Sequence, residues 1–439
     1  MLSPRYSVVL DIVGLEYEHL TSGLLPNIAR ITESGEAARL EPIFPAVTCA
    51  VQASILSGKY PRDHGIVANG LYDRDTYSMS FWEQASSLVK AERAWDIAKR
   101  KGAKTAVLFW QNTMYAESDI VVTPRPMHFD DKMIMWCYSK PVGYYEKLKE
   151  TLGEFDLSSY WGPLASHKSS DWIASAAEYT LENERPNMMF VYIPHVDYSA
   201  QRFGKDAPQT RNDIRKADEI VGRLEDKISG LGIRDQTQFI ILSEYGFNNV
   251  NGAVPLNIAL RDVGLLAVRA IQGREYPDFE YSKAFAMVDH QIAHVFVKNG
   301  FEQETRRKLE SVTGVERVLD STGKKSLGID HSRSGELIAI ATRDRWFSYY
   351  WWYDDNMAPE FARRVDIHRK PGYDPVELFF DPKTRSIPLD SSLVKGSHGR
   401  APDLTTGEGL AFYASDRKHG VSKSGFAKCT DIIQCLIDS

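Results

Sequence analysis

Cysteine is scarce in this chain. Its 439 residues include only Cys49, Cys137, Cys429 and Cys435, none of them in a CxxC pair, which argues against a disulfide scaffold and against a thiolate zinc site. Also missing is any run of the roughly 20 apolar residues that a membrane span needs. Neither sign of charge dominates: 53 Lys and Arg stand against 59 Asp and Glu, a formal charge of −6. Neither forms a block that would draw the chain to nucleic acid or to a membrane. The opening Met1-Leu2-Ser3-Pro4-Arg5 passes at once into Tyr6-Ser7-Val8-Val9-Leu10 and then Asp11, too short an apolar stretch for a signal peptide. The expectation is a cytoplasmic protein with no nucleic-acid or membrane partner. There is no internal repeat and no low-complexity segment.

What is present is the composition of a large core: 43% hydrophobic residues, with 19 Phe, 21 Tyr and 9 Trp. Short apolar runs bounded by turns alternate with longer amphipathic stretches, which predicts an α/β fold around a mainly parallel sheet flanked by helices on both faces. The predicted strands are 7–10, 105–109, 188–193, 239–242 and 337–341. The predicted helices include 26–34, 50–56, 169–182 and 212–229. At this length one core plus an insertion is expected. The segment 270–373 carries its own strand and helix signals and is the candidate cap, with 1–269 and 374–439 forming the core. A second irregular stretch, 115–161, is rich in Pro, Met and aromatics.

In open parallel sheets functional groups gather beyond the carboxyl ends of the strands. Three apolar runs end that way: Asp11 follows Val8-Val9-Leu10, Asp197 follows the run that begins at Phe190, and Glu244-Tyr245-Gly246 follows Phe239–Ser243. A lone acid in such a place is commonly a helix cap or a turn former. Three acids brought together repel one another unless a cation lies between them, so a shared metal site is the economical expectation. Thr48 stands just before an apparent helix. It reads either as an N-cap or as a nucleophile whose alkoxide a helix N-terminus and a neighbouring cation would stabilise.

Asp11, the run Phe44-Pro45-Ala46-Val47-Thr48 and the stretch Ser57-Gly58-Lys59-Tyr60-Pro61-Arg62-Asp63-His64-Gly65-Ile66-Val67-Ala68-Asn69 follow one another in the chain. In that order they resemble the nucleotide pyrophosphatase/phosphodiesterase family of the alkaline phosphatase superfamily. The resemblance implies an alkaline-phosphatase-like core. It also implies that Asp11 binds a metal, that Thr48 is nucleophile and metal ligand, and that Asn69 contacts a phosphate oxygen. Asp197 and the His398 of Gly396-Ser397-His398-Gly399 match further family positions. Gln201, Glu244 and Tyr245 stand where the family pattern has His, Asp and His.

These departures move the implied ligand set, Asp11, Thr48, Asp197, Gln201, Glu244, Tyr245 and His398, from mixed nitrogen and oxygen toward oxygen. That disfavours zinc and favours manganese, magnesium, calcium or iron, as one or two ions. Either Tyr245 ligates as a phenolate, or it does not and one metal site is lost. Other histidines could repair the shell: His195, His290 and His294 beside Asp289, His331 beside Asp330, and His368 two residues after Asp366. Arg202 and Lys205 could neutralise a phosphate or could lie in a solvated loop. The aromatic run 346–353 could line a pocket or fill the core.

The function expected is a metal-dependent hydrolase of small phosphate esters, of phosphodiesterase type, or a phosphonate hydrolase. From a different class, a weak or inactive phosphoryl-ligand-binding protein with a degenerate metal site is also consistent. The chain lacks the Cys-x-Pro-x-Arg segment of sulfatases. Cofactor-independent phosphoglycerate mutases, which have longer chains and a serine nucleophile, resemble it less.

Overall fold

In the computed structural model, which describes residues 5–128 and 133–437, the centre is a nine-stranded sheet. Met1 to Pro4 of the opening segment lie outside the described residues. The sheet's strands are β1 (Tyr6–Ile12), β2 (Glu36–Glu41), β3 (Thr105–Leu108), β4 (Ile120–Pro124), β5 (Cys137–Lys140), β6 (Met188–Ile193), β7 (Thr237–Leu242), β8 (Ala411–Ser415) and β9 (Phe426–Lys428). Their order across the sheet is β9-β2-β8-β7-β1-β6-β3-β4-β5. The five central strands β7, β1, β6, β3 and β4 are parallel, while β8 and β5 run antiparallel to their inner neighbours. Every residue of β1, β3, β6 and β7 is buried. That accounts for their continuous apolar reading, since parallel strands are covered on both faces.

The helices that matter for the site are α1 (Pro26–Thr32), α2 (Thr48–Ser57), α3 (His167–Glu184), α4 (His195–Phe203) and α5 (Pro208–Gly230). The predicted strands and helices all appear, with ends moved by a few residues. Helix α2 is the informative case, because all ten of its residues are buried. Its polar residues Thr48, Gln52, Ser54 and Ser57 are buried with the apolar ones, and Gly58 ends it in the left-handed conformation with φ 67°.

The predicted strand 337–341 forms as Leu337–Ala341, but outside the central sheet. It belongs to a separate four-stranded antiparallel sheet together with Ala284–Asp289, Ile292–Val297 and Val315–Leu319. This sheet falls within the 270–373 interval and has its own apolar cluster, which also takes in Ala68, Tyr72 and Phe81. From the aromatic run, Trp346, Phe347, Tyr349, Tyr350, Trp351 and Trp352 are buried in the core, while Tyr353 at its end is exposed. Among the described residues no helix is long and apolar enough to cross a membrane.

Candidate active site

The parallel register sets Asp11 in β1 beside Leu242 of β7 and Tyr192 of β6, so the groups that follow those strands converge on it. Glu244 comes directly after β7. Asp197 sits in the first turn of α4, with Gln201 one turn further along. His398 arrives from far along the chain on a short bridge: Gly396–Ser397 pairs with Asn248–Asn249, and Ala46 pairs with Gly399. Gly396 is required there, because a Cβ at that position would run into the carbonyl oxygen of Ala200 in α4.

Thr48 is the first residue of α2. The cap position is Val47, and no side chain caps the helix, so the N-cap reading of Thr48 is corrected. Its hydroxyl is instead 2.9 Å from the Tyr245 hydroxyl. The Tyr245 hydroxyl also donates to Asp197 Oδ1 at 3.4 Å, which gives a chain Thr48–Tyr245–Asp197. The Tyr245 ring lies flat on the His398 imidazole, with centroids 3.5 Å apart and planes 10° apart. His398 Nδ1 donates to Ala46 O at 2.7 Å, which leaves Nε2 facing Asp197 Oδ1 at 3.7 Å.

Sequence reading missed Gln52. One turn after Thr48 on α2, its Nε2 donates to Asp11 Oδ2 at 3.0 Å and to Glu244 Oε1 at 2.7 Å. It thus spans the two acids with a neutral amide. Gln201 does the same at the neighbouring carboxylate: its Nε2 donates to Asp197 Oδ2, and its Oε1 accepts from Tyr373 at 2.9 Å. The only advance sign of Gln52 is its i+4 spacing from Thr48, which puts both on one helix face.

Asn69 is tied down at both ends. Its Oδ1 accepts the Cys49 N–H at 3.0 Å, while its own N–H and Nδ2 donate to Asp289 at 2.7 and 3.1 Å. Asp289 Oδ1 also lies 2.7 Å from His290 Nδ1, and the His290 ring stacks on Tyr373 at 3.7 Å and lies tilted by 36° against His398 at 3.8 Å. Of the spare histidines, then, His290 reaches the site. His195 bonds Ser170 and Asp213 O, and His294 is held between Val67 O and Gly335 N. His331 receives the Arg333 N–H. His368 bonds Phe81 O and lies on the wall of the cleft described below. Arg202 donates to the carbonyls of Gly162 and Pro163 and Lys205 pairs with Glu16, so both are committed to contacts within the protein.

Electrostatics follow from burial. Burial, and then the charge of Glu244, raises the Asp11 carboxyl well above the usual range. Burial also raises Glu244 itself. Asp197 is pushed up to about 8 by burial and by Glu244, and Asp289 to about 6 by burial. Burial holds both His398 and His290 well below an ordinary imidazole. Such a concentration of acid takes up protons or a cation.

Do these residues fit a metal? Asp11 Oδ1 and Glu244 Oε2 are buried without a hydrogen-bond partner, and with the Thr48 hydroxyl they make an oxygen set that suits a hard ion retaining some of its water. Among the described residues no three His, Cys, Asp or Glu gather closely enough to hold a metal by themselves. The Asp197, Gln201 and His398 set fits less well. Gln201 turns its N–H toward the acid, and Tyr373 occupies its oxygen, leaving His398 Nε2 as an unpartnered nitrogen.

Thr48, Tyr245, Asp197, His290 and Tyr373 share one cleft of about 620 Å³. It has the size of a small-molecule site.

Comparison with known proteins adds the family. The model of the type I phosphodiesterase / nucleotide pyrophosphatase family matches residues 7–374. Member 1 of the ectonucleotide pyrophosphatase/phosphodiesterase family from Rattus norvegicus is 26% identical over 291 residues, which are 64% of this chain and 28% of that protein. An uncharacterised pyrophosphatase/phosphodiesterase of Schizosaccharomyces pombe is 24% identical over 252 residues, 54% of this chain and 44% of the relative. The chain thus spans less than half the length of these relatives. Among solved structures, murine ectonucleotide pyrophosphatase/phosphodiesterase 5, an inactive variant in complex with AMP, superposes with a TM-score of 0.63 at 15% identity, covering 98% of this chain and 94% of that one. Phosphonoacetate hydrolase from Sinorhizobium meliloti 1021, in complex with phosphonoformate, gives 0.63 at 17% identity, covering 99% and 95%. The structural matches bear out the alkaline-phosphatase-like α/β core, and on the strength of the sequence match this chain belongs to the type I phosphodiesterase / nucleotide pyrophosphatase family.

Proposed function

We propose that the chain is a phosphoric ester hydrolase of phosphodiesterase type in which Thr48 is the nucleophile. The observation that carries this reading is the placement of the Thr48 hydroxyl. It lies at the first turn of a buried helix, opens on the cleft, and is hydrogen-bonded through Tyr245 toward Asp197. A hydroxyl in that position can pass its proton along the chain to Asp197 as its oxygen attacks phosphorus. One P–O bond forms to Thr48 while the bond to the leaving oxygen breaks, and that oxygen departs as an alkoxide that takes its proton from solvent water. Water then cleaves the phosphothreonine and returns the proton inventory to its start. Asn69, held by Asp289 and the Cys49 N–H, keeps one amide hydrogen for an equatorial oxygen of the phosphoryl group.

Asp11, Glu244 and the Thr48 hydroxyl would hold one hard cation. Bound there, it would lower the pKa of the hydroxyl and screen the carboxylates from an incoming phosphate. Manganese, magnesium, calcium or iron suits these oxygens better than zinc.

A second reading, a phosphoryl-ligand-binding protein, draws on the two glutamine amides that lie against the carboxylates. The readings separate on hydrolysis of bis(p-nitrophenyl) phosphate by metal-stripped protein resupplied with each ion in turn. Turnover with a hard ion that Thr48→Ala abolishes supports the hydrolase. Absence of turnover with every ion overturns it in favour of the binding protein.

A further inference from the structure

Away from the reacting groups the cleft that receives Thr48 is lined mainly by apolar side chains, with Gln84, Gln111, Arg125 and Ser158 among them. The apolar wall includes Trp82, Leu157, Trp161 and Ile367, and at its mouth Leu164, Val365 and Phe380 are 70%, 46% and 53% exposed. Large apolar side chains grouped in the open mark a surface meant to be covered.

Several polar groups on that wall already have partners within the protein. Gln84 Nε2 donates to Gln111 Oε1 at 2.6 Å and to Trp82 O at 3.2 Å, and Gln84 Oε1 accepts the Asn112 N–H at 3.1 Å. Ser158 Oγ donates to Asp156 at 2.6 Å, and Trp161 Nε1 donates to Glu377 at 2.6 Å. Those groups are therefore committed elsewhere and do not read the hydrogen-bonding edge of a nucleobase, and such reading is what gives a polar site its selectivity.

The aromatic rings also pack on one another at steep angles. Trp82 meets Tyr373 at 66°, Trp161 meets Tyr373 at 51°, and Trp161 meets Tyr198 at 73°. No pair among these forms parallel plates between which a base could slide. Arg125 is the single lysine or arginine among the described lining residues, so the extra phosphates of a nucleoside polyphosphate would find one cation.

The wall is also preformed. Buried Lys370 is paired with Asp374 and Glu377 at 2.8 and 2.7 Å, and Glu377 in turn holds Trp161 and the Asp366 N–H. This fixes the segment that carries Ile367 and Tyr373.

We infer that the group received by this cleft is a long hydrocarbon chain, so that the substrate is a phosphoric ester of a long-chain alcohol and not a nucleotide. The inference rests on the hydrolase reading for the word substrate, and on the cleft alone for the chain. Diesters built on an acyl-glycerol or a prenyl phosphate share this chemistry, and the monoesters carry the same chain and phosphoryl group as binding probes.

The test reads binding on Thr48→Ala protein by calorimetry, below micelle-forming concentrations, with butyl phosphate, octyl phosphate and AMP. Each buried methylene is worth about fourfold in affinity, so with partial burial octyl phosphate is expected to bind on the order of 50-fold tighter than butyl phosphate. AMP is expected to bind more weakly than octyl phosphate. The Leu164→Glu/Phe380→Glu double variant, placed on exposed positions, should lose most of the octyl gain. Equal affinities for butyl and octyl phosphate, tighter binding of AMP than of octyl phosphate, or an octyl gain unmoved by the double variant would each overturn the inference. Oleoyl-glycerol phosphate and farnesyl phosphate serve as further arms. Whichever binds tighter identifies the source of the chain, and if neither exceeds butyl phosphate the inference fails. Because turnover plays no part in this measurement, an inert wild type would overturn the hydrolase reading without touching the binding result.

Discussion

The backbone N–H of Gln111 donates to Gln52 Oε1 at 2.8 Å, and that contact decides which way the Gln52 amide faces. With the oxygen committed to Gln111, the two N–H bonds must point at Asp11 and Glu244. The amide therefore stands between two acids that a cation would otherwise hold together. Replacing Gln52 by Leu removes both donors and leaves two buried carboxylates bare. In metal-stripped protein this is expected to cost about 1–3 kcal/mol. Manganese should then raise the melting temperature of Gln52→Leu more than that of wild type. Equal shifts on adding manganese would contradict the competition between amide and ion.

Tyr245 joins Thr48 to Asp197 through one hydroxyl. Tyr245→Phe keeps the ring on His398 and deletes only that link. Turnover of bis(p-nitrophenyl) phosphate is expected to fall about 100-fold, the lower end of what a positioned proton relay supplies, while the unfolding midpoint changes little. An unchanged rate would remove Tyr245 from the proton path.

His294 predicts an acid-sensitive fold. Its Nε2 donates to Val67 O at 3.0 Å and its Nδ1 accepts the Gly335 N–H at 3.1 Å, so the folded state requires the neutral ring, and burial pushes its pKa down to about 4. The unfolded chain takes up a proton near pH 6.5, so between those values it binds more protons than the folded state. Stability is whole above about pH 6.5 and declines as the pH falls toward 4, by about 3 kcal/mol. Urea midpoints at pH 7 and pH 4.5 measure this, and His294→Gln should flatten the slope.

At Gly396 a side chain has nowhere to go, because Ala200 O occupies the space of a Cβ. Gly396→Ala is expected to destabilise by about 2–3 kcal/mol. It should also reduce turnover by moving His398, two residues on. A denaturation midpoint within error of wild type would show that the bridge to α4 yields easily.

Much of this site could be read from the sequence because its ligand-type residues follow buried strands. Asp11 and Glu244 are the first acids at the ends of β1 and β7, Asp197 opens the helix after β6, and Thr48 precedes an apolar helical run. What escaped was set by packing between distant segments. Gln52 sits one turn inside a wholly buried helix, where a glutamine has no periodic signature. Asp289 and His290 were legible as one of several possible ligand pairs, but they close a tight hairpin in the second sheet, and the contact with Asn69 that brings them to the site spans 220 residues. Tyr373 lies in a loop without regular structure. Leu337–Ala341 was recognisable as a strand, but an uninterrupted apolar run does not say which sheet it joins.

The claim at the centre of this account is that Thr48 forms a covalent bond to phosphorus. Intact-protein mass spectrometry on acid-quenched reactions with bis(p-nitrophenyl) phosphate and manganese tests it directly. The account predicts a nitrophenyl-phosphoryl adduct in wild type, mapped by peptide digestion to Thr48 and absent from Thr48→Ala. Steady turnover with no adduct on wild type, or an adduct on another residue, would contradict it.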